Sequence, residues 1–143
     1  MAGRSVRETS ASSFLDPLLR SGPTGHVLEN ERTSTVVADH LMTAFDSASR
    51  RRGLLGRDGL PPRNALIIAP SNAVHTFFMR FPIDVAFVRR DGRIVKIRAA
   101  LPQWRMTASL RGFAVIELPA GTLARSKTVC GDRLICRAAD APC

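Results

Sequence analysis

The chain reads as an α+β protein, a small β-rich domain whose mixed or antiparallel sheet curls into a partial barrel beside one main helix and one short helix. Three patterns predict this class. Ala65-Leu66-Ile67-Ile68-Ala69 is a continuous apolar run stopped at Pro70, which suits a central strand. From Phe77 to Phe87 every odd position is apolar, a long period-2 face on a strand opened by His75. Short apolar runs punctuated by Gly, Pro, Asp and Asn fill the rest, and one segment carries strong helix start and stop signals.

Taken in order, Val27-Leu28-Glu29 and the run from Ser34 to Leu41 form strands around a turn at Glu29-Asn30-Glu31-Arg32. Thr43 then caps a helix reaching about Arg52. Asp46 lies in its first turn, Arg50, Arg51 and Arg52 in its last, and Gly53 ends it, so the helix dipole accounts for three arginines without a ligand. Leu54 to Pro62 is loop or one short turn. Strand Ile83–Arg89 turns at Asp91-Gly92 and returns as Arg93–Ala99. A two-residue loop would set Lys96 against Phe87 and Arg98 against Val85, putting cations on the apolar face. A three-residue loop, Arg90-Asp91-Gly92 with Gly92 left-handed, pairs Phe87 with Val95 and Val85 with Ile97 instead. It also sets Asp84 across from Arg98 as a structural ion pair, and the hydrophobic pattern selects this register. An irregular segment Leu101–Leu110, a strand Gly112–Leu118, a short helix from Gly121-Thr122 to Ser126, a Gly131-Asp132 turn and a last strand Arg133–Cys136 complete the order.

At 143 residues the chain is sized for one domain. The reading places it at 26–138, after a flexible N-terminal extension (1–25) with one short apolar patch (Phe14, Leu15, Leu18, Leu19) and before a loose tail (139–143). No apolar run approaches the roughly 20 residues of a membrane span. Behind Arg4 and Arg7 no apolar h-region is readable, so the expectation is a cytoplasmic protein without a transmembrane segment. Cys130, Cys136 and Cys143 show no C-x-x-C spacing and no nearby His. Two small semi-buried residues plus one at a loose terminus are the plainer reading, and neither a metal nor a cofactor is expected.

The net charge of +9 is concentrated. Residues 50–105 hold twelve bases and three acids, a surplus of nine, while the rest of the chain is neutral. Such a region could draw nucleic acid or an anionic surface, yet no interleaved exposed aromatics are legible, so a solvated basic face is the simpler reading.

Four residues are candidates for binding. His75 follows Pro70-Ser71-Asn72 at a strand end, where sites often form, and an imidazole there is a candidate general base. Glu117 ends the apolar strand Phe113-Ala114-Val115-Ile116, where a carboxylate is either a paired buried acid or part of a site. Trp104-Arg105 follows Pro102, either plugging the core edge or forming a recognition pair. Asp84 lies about 30 Å from His75 along a straight strand and reads as structural, paired with Arg98 or accepting backbone N–H bonds. No nucleophile elbow, P-loop or dinucleotide fingerprint occurs, so catalytic residues are unassigned.

Four ordered motifs, Arg52-Gly53-Leu54-Leu55-Gly56-Arg57, His75 through Phe87, Glu117-Leu118-Pro119-Ala120-Gly121-Thr122 and Gly131-Asp132-Arg133-Leu134, resemble the domain of unknown function one-hundred-ninety-two family (uncharacterised ACR) of bacteria and archaea. The resemblance spans about Ser34 to Ile135 and implies a small β-rich α+β domain with no established activity. The leading expectation is a non-enzymatic module binding a small ligand or a protein partner near His75, Trp104, Arg105 and Glu117. An enzyme using His75 and Glu117 as acid and base is the alternative, and nucleic-acid or anionic-surface binding through the basic region is third.

Overall fold

The computed structural model describes residues 12–140. Ten strands and three short helices follow in the order α1 (Asp16–Ser21), β1 (His26–Asn30), β2 (Thr35–Ala38), β3 (His40–Ala44), α2 (Ser47–Arg52), β4 (Asn64–Ile68), β5 (Ala73–His75), β6 (Ile83–Val88), β7 (Ile94–Leu101), β8 (Met106–Ala108), β9 (Ala114–Pro119), α3 (Thr122–Arg125) and β10 (Leu134–Ala138). The α+β, β-rich class is as the sequence predicts. The strands divide into three sheets, however, β10-β1-β2, β3-β4-β9-β6-β7 and β5-β8, in place of one sheet curled towards a barrel. The five-stranded sheet is mixed, with β3 and β4 parallel and its other neighbours antiparallel.

That sheet is covered on both faces, which is why all six residues of β6 are buried and simple alternation fails there. One face carries Ala65, Ile67, Ala86, Val88, Ile116 and Leu118 against the three-stranded sheet and α1. The other carries Leu66, Ile68, Ile83, Val85, Phe87 and Val115 against Leu54, Val74 and Met79 from the segments around α2 and β5. Phe14, Leu15 and Leu18 are buried in the first of these cores, so the packed chain begins ahead of the boundary expected at residue 26. The first eleven residues of the expected extension, with Arg4 and Arg7, lie outside the described residues, as does the end of the tail with Cys143.

The predicted strand from His75 to Phe87 is two strands in different sheets. His75 ends β5. The chain then turns at Thr76, whose carbonyl accepts from Met79 N (3.2 Å) and Trp104 N (3.1 Å), and Phe78 takes a positive φ of 63°. Period-2 spacing at Phe77, Met79 and Phe81 therefore does not mark a strand. Likewise Thr43 belongs to β3, and Asp46 takes the cap of α2, accepting from Ser49 N at 2.8 Å. Leu101–Leu110 is less irregular than expected, since β7 runs through Leu101 and β8 follows.

In the β6–β7 hairpin the three-residue loop is present. Arg89 N donates to Arg93 O at 2.9 Å and Gly92 has φ 90°. Yet Val88 faces Ile94 and Phe87 faces Lys96, leaving Val95 as a bulge. The extra residue slips the register by one, so Arg98 faces Val85 and the expected Asp84–Arg98 pair does not form. Edge position makes this tolerable: β7 borders solvent, Lys96 stretches across the Phe87 ring with Nζ 5.9 Å from its centroid, and Arg98 stays exposed. Asp84 takes the other route, accepting from Ala100 N (2.8 Å) at a second irregularity of β7 and from Leu123 N (2.9 Å) in the first turn of α3.

Candidate functional site

Glu117 stands in the middle of β9, opposite Leu66 of β4 and Val85 of β6, on the face that forms the second core. Only 4% exposed, its carboxyl accepts no hydrogen bond among the described residues, and its Oε2 is enclosed without a partner. Burial alone pushes its pKa from 4.5 up to about 7. The group is therefore partly neutral at neutral pH, able to donate or to accept.

Above it opens a cleft of about 410 Å³. Glu117 and Ile68 of the sheet line it, together with Arg50, Arg51 and Arg52 of α2 and His75 of β5. The sequence places the arginines there for a local reason. Asp46 starts α2 six residues before Arg52, and Gly53, at φ 47°, stops it, so the three bases stack in its last turn. Leu54 and Leu55, just past Gly53, anchor that end of the helix beside the second core. Arg50 is partly committed, donating from Nη1 to Phe45 O at 3.0 Å, and Arg51 Nε donates to Ser47 O at 3.3 Å.

His75 and Glu117 thus share one cleft, which neither their spacing in sequence nor a straight strand suggests. Trp104 and Arg105 do not line it. They sit on the loop before β8, tied to the β5 end through Thr76: Thr76 N donates to Arg105 O (2.8 Å), and Thr76 Oγ1 donates to Pro102 O (2.7 Å) while accepting from Arg105 N (2.9 Å). Aromatic contacts connect the two places. His75 stacks on Phe77 at 5.2 Å, Phe77 meets Trp104 at 6.1 Å, and Phe78 meets Trp104 edge-on at 4.7 Å. Trp104 is 57% exposed, so it does not plug the core edge. Cys136 is buried, its thiol pushed up to about 12, and Cys130 is exposed. No group of three or more His, Cys, Asp or Glu side chains placed to hold a metal occurs among the described residues.

The family model for uncharacterised ACR, a domain of unknown function, matches residues 27–136. The chain belongs to this family. Two solved structures share the uncharacterised ACR fold seen here. A protein of Sinorhizobium meliloti 1021, described as a candidate transcription regulator, is 24% identical with a TM-score of 0.66, the match covering 76% of this chain and 89% of that one. A protein of unknown function from Novosphingobium aromaticivorans DSM 12444 is 22% identical with the same TM-score, covering 76% and 81%. No curated protein matches the chain. Among the described residues no helix is long and apolar enough to cross a membrane.

Arg50, Arg51 and Arg52 are the cleft residues that sequence reasoning missed, because the helix dipole explains such a cluster by itself. Their one signal was the stretch Arg52-Gly53-Leu54-Leu55-Gly56-Arg57, one of the four on which the resemblance to uncharacterised ACR rests, which includes Arg52 itself.

Proposed function

We propose that the domain is a small-molecule-binding module whose ligand carries an acidic group for the α2 arginines and a hydrogen-bonding group for Glu117. One observation carries this reading: a buried carboxyl with no protein partner lines a cleft of about 410 Å³ that is also lined by Arg50, Arg51 and Arg52. An unpartnered buried polar group is costly, and a ligand that hydrogen-bonds to it offsets that cost. Guanidinium groups give carboxylates and phosphates charge-assisted contacts, and the volume falls within the range of ligand pockets. Calorimetry and thermal-shift titration with small carboxylates and phosphorylated compounds test the proposal. A true ligand raises the unfolding temperature of the native chain, and its affinity falls about tenfold or more in both Glu117→Leu and the Arg51→Ala/Arg52→Ala double variant. Absence of any acidic ligand, or binding that survives both changes, overturns it.

A second reading rests on the same floor. Glu117, with a pKa of about 7, and His75 line one cleft and suit general acid–base chemistry on the bound molecule. Turnover of the identified ligand, lost in Glu117→Gln while binding remains, supports this reading; a bound ligand recovered unchanged removes it.

A further inference from the structure

We infer that the rim beside the cleft, built from the β5–β6 turn and the loop before β8, is a stacking platform for single-stranded nucleic acid. It goes beyond the small-ligand reading and rests on different residues. Phe78 is 73% exposed and Trp104 57%, and both hold φ at 63°, a region costly for bulky side chains. The buried Thr76, bonded to Pro102, Trp104 and Arg105 as described above, fixes both segments. Two aromatic rings are thus held out into water by backbone that the interior locks in place. Met106, the first residue of β8, is also exposed.

Charge selects the partner. Over residues 73–82 and 98–111 the ionisable side chains are His75, Arg80, Arg98, Arg105 and Arg111, with no acid among them. Arg80 is engaged by Asp58, whereas Arg98, Arg105 and Arg111 form no ion pair among the described residues. Exposed rings alternate in chain order with unpaired guanidinium groups, Arg105 directly after Trp104, and the two kinds of group match the two halves of a nucleotide, a base to stack and a phosphate to neutralise. A duplex keeps its bases stacked on one another, so the rings select for a single strand. The exposure of these rings is the feature that the sequence alone left unread when it favoured a solvated basic face.

Trp104 is the one tryptophan of the chain and reports directly on stacking. The test titrates the full chain with a fluorophore-labelled oligothymidylate of about 12 nucleotides, with the duplex of equal length and with phosphatidylserine-containing vesicles, at low and at physiological salt. The single strand should quench Trp104 fluorescence and bind about tenfold or more tightly than the duplex. By fluorescence anisotropy of the labelled strand, Trp104→Ala and Phe78→Ala should each weaken binding about tenfold, and Trp104→Phe should keep most of it. Arg105→Ala should weaken binding and flatten its salt dependence. Since both rings are exposed, unfolding transitions close to the native one confirm that these variants fold. Equal binding of strand and duplex, indifference to Trp104→Ala, or Trp104-dependent attachment to vesicles or self-association without oligonucleotide binding overturns the inference.

Discussion

A carboxyl group set between Leu66 and Val85 on a central strand gives up its proton late, and Glu117 makes that lateness measurable as stability. In the unfolded chain it titrates near 4.5, in the fold at about 7. Below the first value both states are protonated and nothing is lost. Between them the unfolded chain ionises first, so the fold loses stability as pH rises, and above about 7 the loss is complete at roughly 3 kcal/mol. Glu117→Gln keeps the shape and cannot ionise. It should match the native chain near pH 4 and exceed it by up to roughly 3 kcal/mol at pH 8, read from urea unfolding at both values. A difference independent of pH would mean that Glu117 is already paired or hydrated. The sequence left Glu117 open between a paired acid and a site residue because an apolar strand with a terminal carboxylate looks the same in either case. Burial without a partner separates the two, and both depend on neighbouring strands far away in the chain.

Between elements, the informative contact is the one Asp84 makes. Its carboxylate holds Ala100 N of β7 and Leu123 N of α3, joining the edge strand to a helix that has no side-chain cap of its own. Asp84→Ala would strand two backbone donors at a buried position and should cost about 2–4 kcal/mol. Arg98→Ala should stay within about 0.5 kcal/mol, because Arg98 is exposed and faces Val85. Chemical denaturation of the two variants tests this directly, since an ion pair would make both losses similar. The hairpin shows what local pattern can and cannot settle. The Asp91-Gly92 turn and its loop length were legible, as were the central β4 run and the arginine-loaded end of α2. The bulge at Val95 was not, because it places Val95 against one core and Ile97 against the other, a requirement set by layers packed on opposite faces. The turn after His75 was hidden for a similar reason: Thr76 is fixed by Pro102 and Arg105, partners that no local window contains.

At the scale of the whole molecule, a five-stranded sheet whose central strands are buried throughout needs cover on both faces. The cleft face is roofed by the α2 and β5 segments, while the other face is completed by the three-stranded sheet and α1. α1 is short, and Pro17 lies in its first turn. A six-residue helix has little stability of its own, so packing holds it in place. Gly92 fits the same arrangement: Phe14 N donates to Arg90 O at 3.0 Å, and a side chain at Gly92 would run into Leu134 O and crowd Phe14. The loop between β6 and β7, the start of α1 and the β10 strand are thus packed together, which makes the residues before β1 part of the fold. Leu15→Ala and Leu18→Ala, 2% and 3% exposed, should each cost about 2–5 kcal/mol, the usual range for emptying a buried leucine site. Leu19→Ala, at 63% exposure one residue further on, should change stability by less than about 0.5 kcal/mol. Urea unfolding of the three variants decides between two architectures. An appendage outside the domain would leave all three near the native value, whereas the two-sided core requires the first two to fall and the third to stay.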